Sequence, residues 1–342
     1  MRTRLSKSQF LRGLQCHKSL WLYRHRKDLI PEPPAALQLI FDQGHEIGKL
    51  AWKRFPGGRS IEADHLHPQE ALRQTQAAIT AGAQTLYEAA AVFEDVLIRA
   101  DVLVREAPDG PWDLFEVKGS TDLKETHLDD VAIQRYVLEG SGFYIRRSWV
   151  VLVNNQYVRR GEIDAREFFT LTDVTLETES RMKAIPNQLR ELQAMTGRKE
   201  APDIEIGAQC SNPYECEFID HCWKHVPDYS IFNLTGATMT KKAELWHGGI
   251  RTIREIPPGF PLTKNQSLQV AVERAGRPCV DSAEIAGLLG QLRFPLYFLD
   301  FETVNLGIPP FDGMRPFQIL PFQASIDVRD KEDGPIRHEE YL

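Results

Sequence analysis

The feature that most constrains this chain is a strand–turn–strand signal that carries acids and an amine. Val96, Ile98 and the stretch from Val102 to Val104 are β-rich and end at Ala107-Pro108-Asp109-Gly110, a turn signal. Leu114 to Lys118 reads as the returning strand. Side chains alternate across a strand, so Glu116 and Lys118 point to one face and Val117 to the other. Hairpin pairing across the turn brings Asp101 alongside Glu116, and three polar groups converge at one sheet edge. Alone, Asp-x(14)-Glu-x-Lys also suits a solvent-facing strand.

Two carboxylates with an amine beside them suit phosphodiester chemistry. Cleavage needs a hard cation that offsets charge on the phosphate and lowers the pKa of an attacking water. Mg²⁺ takes oxygen ligands and usually keeps several waters, so few protein ligands suffice. Lys118 can orient the water or stabilise the phosphate oxygens. His45 can add a nitrogen ligand, which makes Mn²⁺ more competitive, although a lone histidine on a helix also serves packing.

Helices are expected to surround the hairpin. Ser6 or Ser8 can cap a short one running towards Gly13, with Phe10 and Leu14 four apart on one face. A second starts near Pro34, where Leu37, Phe41 and His45 recur every four residues, with Gly44 and Gly48 thinning the surface around His45. The alanine-rich stretch Gln69 to Ala91 reads as a third. Glu125 to Glu139 also reads as helix, Trp149 to Val153 as a buried strand, and Asp173 to Met195 as a long helix interruptible at Pro186. Helices over a small mixed sheet make an α/β or α+β core.

At 342 residues the chain should form two or three compact units. No apolar run is long enough to span a bilayer and no secretory signal is evident, so the expectation is a cytoplasmic protein without a membrane partner. The net charge of -7 hides a basic start: Arg2, Arg4, Lys7, Arg12, Lys18, Arg24, Arg26 and Lys27 precede the first acid, Asp28, interleaved with Phe10, Trp21 and Tyr23. That mixture suits a nucleic-acid backbone with stacking bases, or a solvated helix face with its aromatics in the core.

Five cysteines in a reducing compartment point to metal or cluster ligation rather than disulfides. Cys210, Cys216 and Cys222 form Cys-x(5)-Cys-x(5)-Cys, with Pro213 and Tyr214 inside and Trp223 behind. Cys16 is the natural fourth ligand for a 4Fe-4S cluster, and Cys279 lies beyond. Zinc is the rival, since His17, His221 and His225 are neighbours and a three-cysteine, one-histidine tetrahedron is chemically reasonable.

Gly44-His45-Glu46-Ile47-Gly48, Arg99-Ala100-Asp101, Glu116-Val117-Lys118 and Asp130-x(3)-Gln134-x-Tyr136 stand in an order that resembles the RecB-like branch of the PD-(D/E)XK nucleases. The likeness is greatest to CRISPR-associated exonucleases of the Cas-four type. It implies metal ligation by His45, Asp101 and Glu116, a catalytic role for Lys118, and site-bordering roles for Gln134 and Tyr136. The family's usual Gln-x(3)-Tyr spacing is absent, because Leu138 sits where the tyrosine belongs. One cysteine early and three late also resembles the iron–sulphur staple of Cas-four-type and AddB-type nucleases, although the first gap there is often Cys-x(2)-Cys.

After Trp223, Lys241-Lys242 and Gly248-Gly249-Ile250 fit either a helix-hairpin-helix or a plain helical linker. Phe294 to Thr303 is an apolar strand ending in Asp300-x-Glu302, with Phe322 to Val328 as a second strand. This resembles the first strand of DnaQ-like, ribonuclease-H-fold exonucleases, and the whole resembles a bacterial family of unknown function that joins a Cas-four-like half to a DnaQ-like half. The 48 residues after Phe294 fall short of such a domain, so Asp300 and Glu302 are expected to form an incomplete second site.

The expectations are therefore a restriction-endonuclease-like α/β (α+β) nuclease domain over residues 1–228, a helical linker over 229–288 and a partial ribonuclease-H-like segment over 289–342. The expected activity is metal-dependent hydrolysis of DNA from single-stranded ends, with Mg²⁺ or Mn²⁺ and a 4Fe-4S cluster. The alternative is an inactive iron–sulphur module that binds nucleic acid.

Overall fold

The structure is a computed structural model; it describes residues 4–64 and 66–342, and side chains except at 35–37. The expected roles of Arg2 and of the Leu37 side chain lie outside the described residues. The protein is of mixed α/β, α+β class, and compactness divides it into two units. The first comprises 1–204, 212–218 and 306–318, the second 205–211, 219–305 and 319–342.

Elements of the first unit run β1 (Leu5–Ser6), α1 (Lys7–Gln15), α2 (His17–His25), α3 (Ala35–Trp52), β2 (Arg59–Ser60), α4 (Pro68–Thr80), β3 (Thr85–Phe93), β4 (Val96–Arg105) and β5 (Trp112–Lys118). Then come α5 (Glu125–Gly140), β6 (Ile145–Val153), α6 (Ala165–Phe168), β7 (Phe169–Asp173), α7 (Thr175–Met182) and α8 (Ile185–Thr196). Among the described residues these strands form a seven-stranded mixed sheet in the order β2-β3-β4-β5-β6-β7, with β1 pairing in parallel onto the start of β4. The β3-β4-β5 meander is antiparallel, and α5 carries the chain from β5 to a parallel β6.

Strand alternation divides the apolar residues between two cores. Leu103, Leu114 and Val150 enter the core beneath α1, α4, α5 and α8, while Val102, Phe115 and Val151 enter the one beneath α3. Leu114 is fully buried, a placement that stabilises by about 1.5–3 kcal/mol. By the same parity Asp101, Glu116 and Lys118 share the face covered by α5.

The alanine-rich stretch is not one helix. Helix α4 stops at Thr80, Gly82 turns the chain at a φ of 82°, and Thr85–Phe93 becomes a strand. Ala89, Ala90 and Ala91 are buried, and Thr75 on α4 accepts a hydrogen bond from the Ala90 amide at 2.9 Å. Alanine here serves close packing of a helix on a strand rather than helix propensity. The segment expected as a long helix from Asp173 divides into α7 and α8, with Pro186 in the first turn of α8, where its missing N–H costs nothing. Ser6, rather than Ser8, caps α1 through a reciprocal pair with Gln9.

The second unit contains α9 (Ile219–Cys222), α10 (Met239–His247), α11 (Lys264–Ala275) and α12 (Ser282–Leu289), followed by an antiparallel sheet of β8 (Leu296–Val304), β9 (Leu320–Arg329) and β10 (Ile336–Tyr341). Its core gathers Ile231, Leu245, Trp246, Ile253 and Val270, with the tilted rings of Trp223 and Phe232 packed beside them. Thr238 caps α10, and Gly249 after it adopts a φ of 86°. Residues 306–318, expected as part of the C-terminal segment, lie in the first unit, where Arg159 reaches the carbonyls of Pro309 and Pro310 and Gly307 donates to Gln43. No helix among the described residues is long and apolar enough to cross a membrane.

A buried carboxylate and ammonium site in the first unit

The β4-β5 register pairs Val102 with Phe115, so Asp101 and Glu116 stand opposite one another one step on. Asp101 Oδ2 accepts the Val117 amide at 2.7 Å, which closes the hairpin at the site. Glu116 is buried at 2% exposure, and both of its oxygens are engaged. Oε1 accepts from Lys118 Nζ at 2.7 Å and Lys7 Nζ at 2.9 Å, and Oε2 from Gln134 Nε2 at 2.7 Å. Asp130 joins them from α5: its Oδ1 lies 3.0 Å from Lys7 Nζ and accepts from Gln134, and its Oδ2 takes Lys118 Nζ at 2.5 Å. Asp130 and Gln134 are four apart on one helix, which places both over the strand.

Three carboxylates thus face two ammonium groups in a desolvated corner. Burial pushes the Asp101 carboxyl well up, with Glu116 adding to the rise and Lys7 and Lys118 opposing it. Burial acts upward on Glu116 too, but the adjacent Lys118 and Lys7 outweigh it and hold that carboxyl well below its usual range. Desolvation lowers both ammonium groups; the acids prevail and both rise, Lys7 chiefly through Asp130 and Lys118 chiefly through Glu116. Nearby, His127 is pushed down to about 4 by burial and by Lys118 and Lys124.

Asp101 and Glu116 also line a cleft of about 720 Å³ with His45, Lys49 and Trp52 of α3 and with Glu88 of β3. Glu88 has a φ of 58° within a strand, a region that ordinary side chains seldom adopt and that costs roughly 1–3 kcal/mol. Its strand partner position falls opposite Asp101, and its carboxylate is held by Arg99 at 3.2 Å. The Trp52 ring stacks flat on Tyr87 at 4.6 Å.

The structure therefore brings Asp101, Glu116, Lys118 and Gln134 together, with His45 on the wall of the same cleft. Tyr136 is not among them. Two helical positions from Gln134, it turns away and donates to Glu94 at 2.8 Å while packing edge-on against Phe93. Sequence reasoning missed Lys7, which was counted only within the basic N-terminal run, and Glu88, whose backbone conformation has no sequence signal. Asp130 stood in the quoted motif without a role.

Other basic residues of that run have intramolecular partners. Arg12 pairs with Glu217 and lies over the Tyr23 ring, Arg26 pairs with Asp28, and Lys18 reaches the Ile204 carbonyl. Phe10 is core, and Trp21 stacks on His25.

As donors, Asp101, Glu116 and His45 suit a hard or borderline divalent cation. Among the described residues, however, no three His, Cys, Asp or Glu side chains stand grouped to hold one, and Glu116 spends its oxygens on Lys7, Lys118 and Gln134. The cysteines divide between the units: Cys16 and Cys216 belong to the first, where Cys216 Sγ lies 3.4 Å from Ser19 Oγ. Cys210 and Cys222 belong to the second and pack against its core, and Cys279 is exposed. Asp300 and Glu302 lie exposed on β8, opposite Ser325 and Gln323 of β9.

A model for a domain of unknown function, DUF2779, matches residues 297–342, the stretch that carries β8, β9 and β10. No curated protein matches the chain.

Proposed function

We propose that this protein is a metal-dependent nuclease that hydrolyses DNA phosphodiester bonds, working from single-stranded ends. The observation that carries the reading is the convergence of Asp101, Glu116 and Lys118 on one hairpin, with Asp101 and Glu116 opening onto a cleft shared with His45. A divalent cation held by Asp101 and Glu116, with His45 as a further ligand, supplies charge to offset the phosphate and to acidify a water.

The chain's own residues do the rest. Gln134 fixes the Glu116 carboxylate through Oε2, and Asp130 orients the Lys118 ammonium. That ammonium stays protonated at neutral pH, so it serves as a fixed positive charge towards phosphate oxygens rather than as a base. Trp52, on its Tyr87 support, gives the cleft a flat ring for a base. A cysteine-ligated iron–sulphur cluster belongs to the same proposal on sequence spacing and resemblance alone.

The saturation of both Glu116 oxygens favours a second reading, an inactive nucleic-acid-binding module. One assay separates them. Labelled single- and double-stranded DNA is incubated with Mn²⁺ and wild type, Asp101→Ala or Lys118→Ala; cleavage by wild type alone is expected, and equal degradation by all three rules out the site. Iron and sulphide analysis of anaerobically purified protein, against Cys16→Ala and Cys222→Ala, tests the cluster.

A further inference from the structure

We propose that Lys7 is a positioning residue that stands in for the divalent cation, holding the site's carboxylates together until metal replaces it. The inference rests on the metal-dependent reading of the site above. Lys7 and Lys118 close a ring with Glu116 and Asp130: each ammonium touches Glu116 Oε1, and each touches one oxygen of Asp130. The two carboxylates are 2% and 7% exposed, so neither can shed its charge into water. With Asp101 opposite, they need positive charge to coexist.

A cation taking Glu116 must displace a donor. Gln134 is fully buried and divides its amide N–H groups between Glu116 and Asp130, so losing Glu116 would strand a buried donor. Lys118 is fixed two residues along the same strand. Lys7 and Lys118 are alike in exposure, at 22% and 21%, but Lys7 begins α1 and comes from a chain segment 109 residues away, so its flexible stem can withdraw to solvent without disturbing the strand that carries Glu116. Metal and Lys7 therefore compete for the same carboxylates.

The test is Mn²⁺ binding followed by calorimetry, with thermal unfolding in metal and in chelator, on the full chain; neither needs nucleic acid. Lys7→Gln is expected to bind Mn²⁺ roughly tenfold more tightly than wild type, since one competing positive charge is gone. Its melting temperature in chelator should fall by about 5–10 °C and recover on adding Mn²⁺ by more than wild type gains. Lys7→Arg, which keeps the charge and adds a bidentate fork, should bind Mn²⁺ no more tightly than wild type.

If Lys7→Gln binds Mn²⁺ no better than wild type, the stand-in role is wrong while the nuclease reading survives. Binding of Mn²⁺ by neither protein defeats both. Should Lys7→Gln fail to fold in chelator, recovery of its fold in Mn²⁺ supports the proposal, and failure to recover overturns it.

Discussion

Two strand pairs in this molecule carry paired acids, and they differ in what covers them. Asp101 and Glu116 sit opposite one another across β4 and β5, under an α5 that supplies Asp130 and Gln134 and beside an α1 that supplies Lys7. Asp300 and Glu302 sit on one strand, β8, exposed, with the Phe301 amide on Asp300 Oδ1. Strand parity fixes which face the carboxylates of each pair share. Only a helix laid on that face converts them into a buried, charge-balanced cluster whose protonation and geometry are set by neighbours.

The sharpest way to break the comparison is to neutralise one acid in each pair. Glu116→Gln removes the negative charge that Lys7 and Lys118 share and should lower Mn²⁺-dependent cleavage of labelled DNA by about a hundredfold or more. Asp300→Asn should leave the same rate within twofold. A loss at Asp300 equal to that at Glu116 would mean that the exposed sheet carries the chemistry.

How much of this was legible beforehand follows from sequence distance. The hairpin was readable because alternation and the Asp109-Gly110 turn are local signals, and the strand parity that sends Leu114 and Phe115 to different cores is written residue by residue. Gln69 to Ala91 misled because alanine reports small size, and β3 uses that smallness to pack under α4. Lys7 was hidden because β1 carries it to the site across 109 residues through a two-residue parallel pairing. Nothing local marks Glu88 as the residue that turns to a positive φ opposite Asp101.

Two histidines extend the contrast to pH, with a smaller effect. His127, 4% exposed, accepts the Lys124 amide on Nδ1 at 3.3 Å, which requires the neutral ring, and its pKa is pushed down from 6.5 to about 4. The unfolded chain thus takes up this proton more readily than the fold, so stability should decline as pH falls from about 6.5 towards 4. His338, exposed on β10, is raised instead, chiefly by its hydrogen bond to Asp327. Any stability it adds is present at low pH and lost as pH rises through its folded value, and its exposure keeps that small. Urea unfolding from pH 4 to 7.5 should show a flatter profile for His127→Gln than for wild type and no change of slope for His338→Gln. Identical slopes for His127→Gln and wild type would show that the ring is not held neutral.

The smallest effect is expected where the resemblance and the geometry part company. Tyr136 was expected beside the carboxylates, yet its hydroxyl donates to Glu94, and burial together with that bond pushes its pKa up to about 12. Gln134 and Tyr136 differ by two positions on α5, about 200° around a helix, so a residue that places one over Glu116 must send the other elsewhere. Tyr136→Phe keeps the ring on Phe93 and removes one hydrogen bond, which should cost about 1 kcal/mol of stability in urea unfolding. The cleavage rate should stay within twofold of wild type. A tenfold loss of rate with unchanged stability would instead require the tyrosine to reach the cleft by a rotation of α5 that breaks its bond to Glu94, which stays in the turn between β3 and β4.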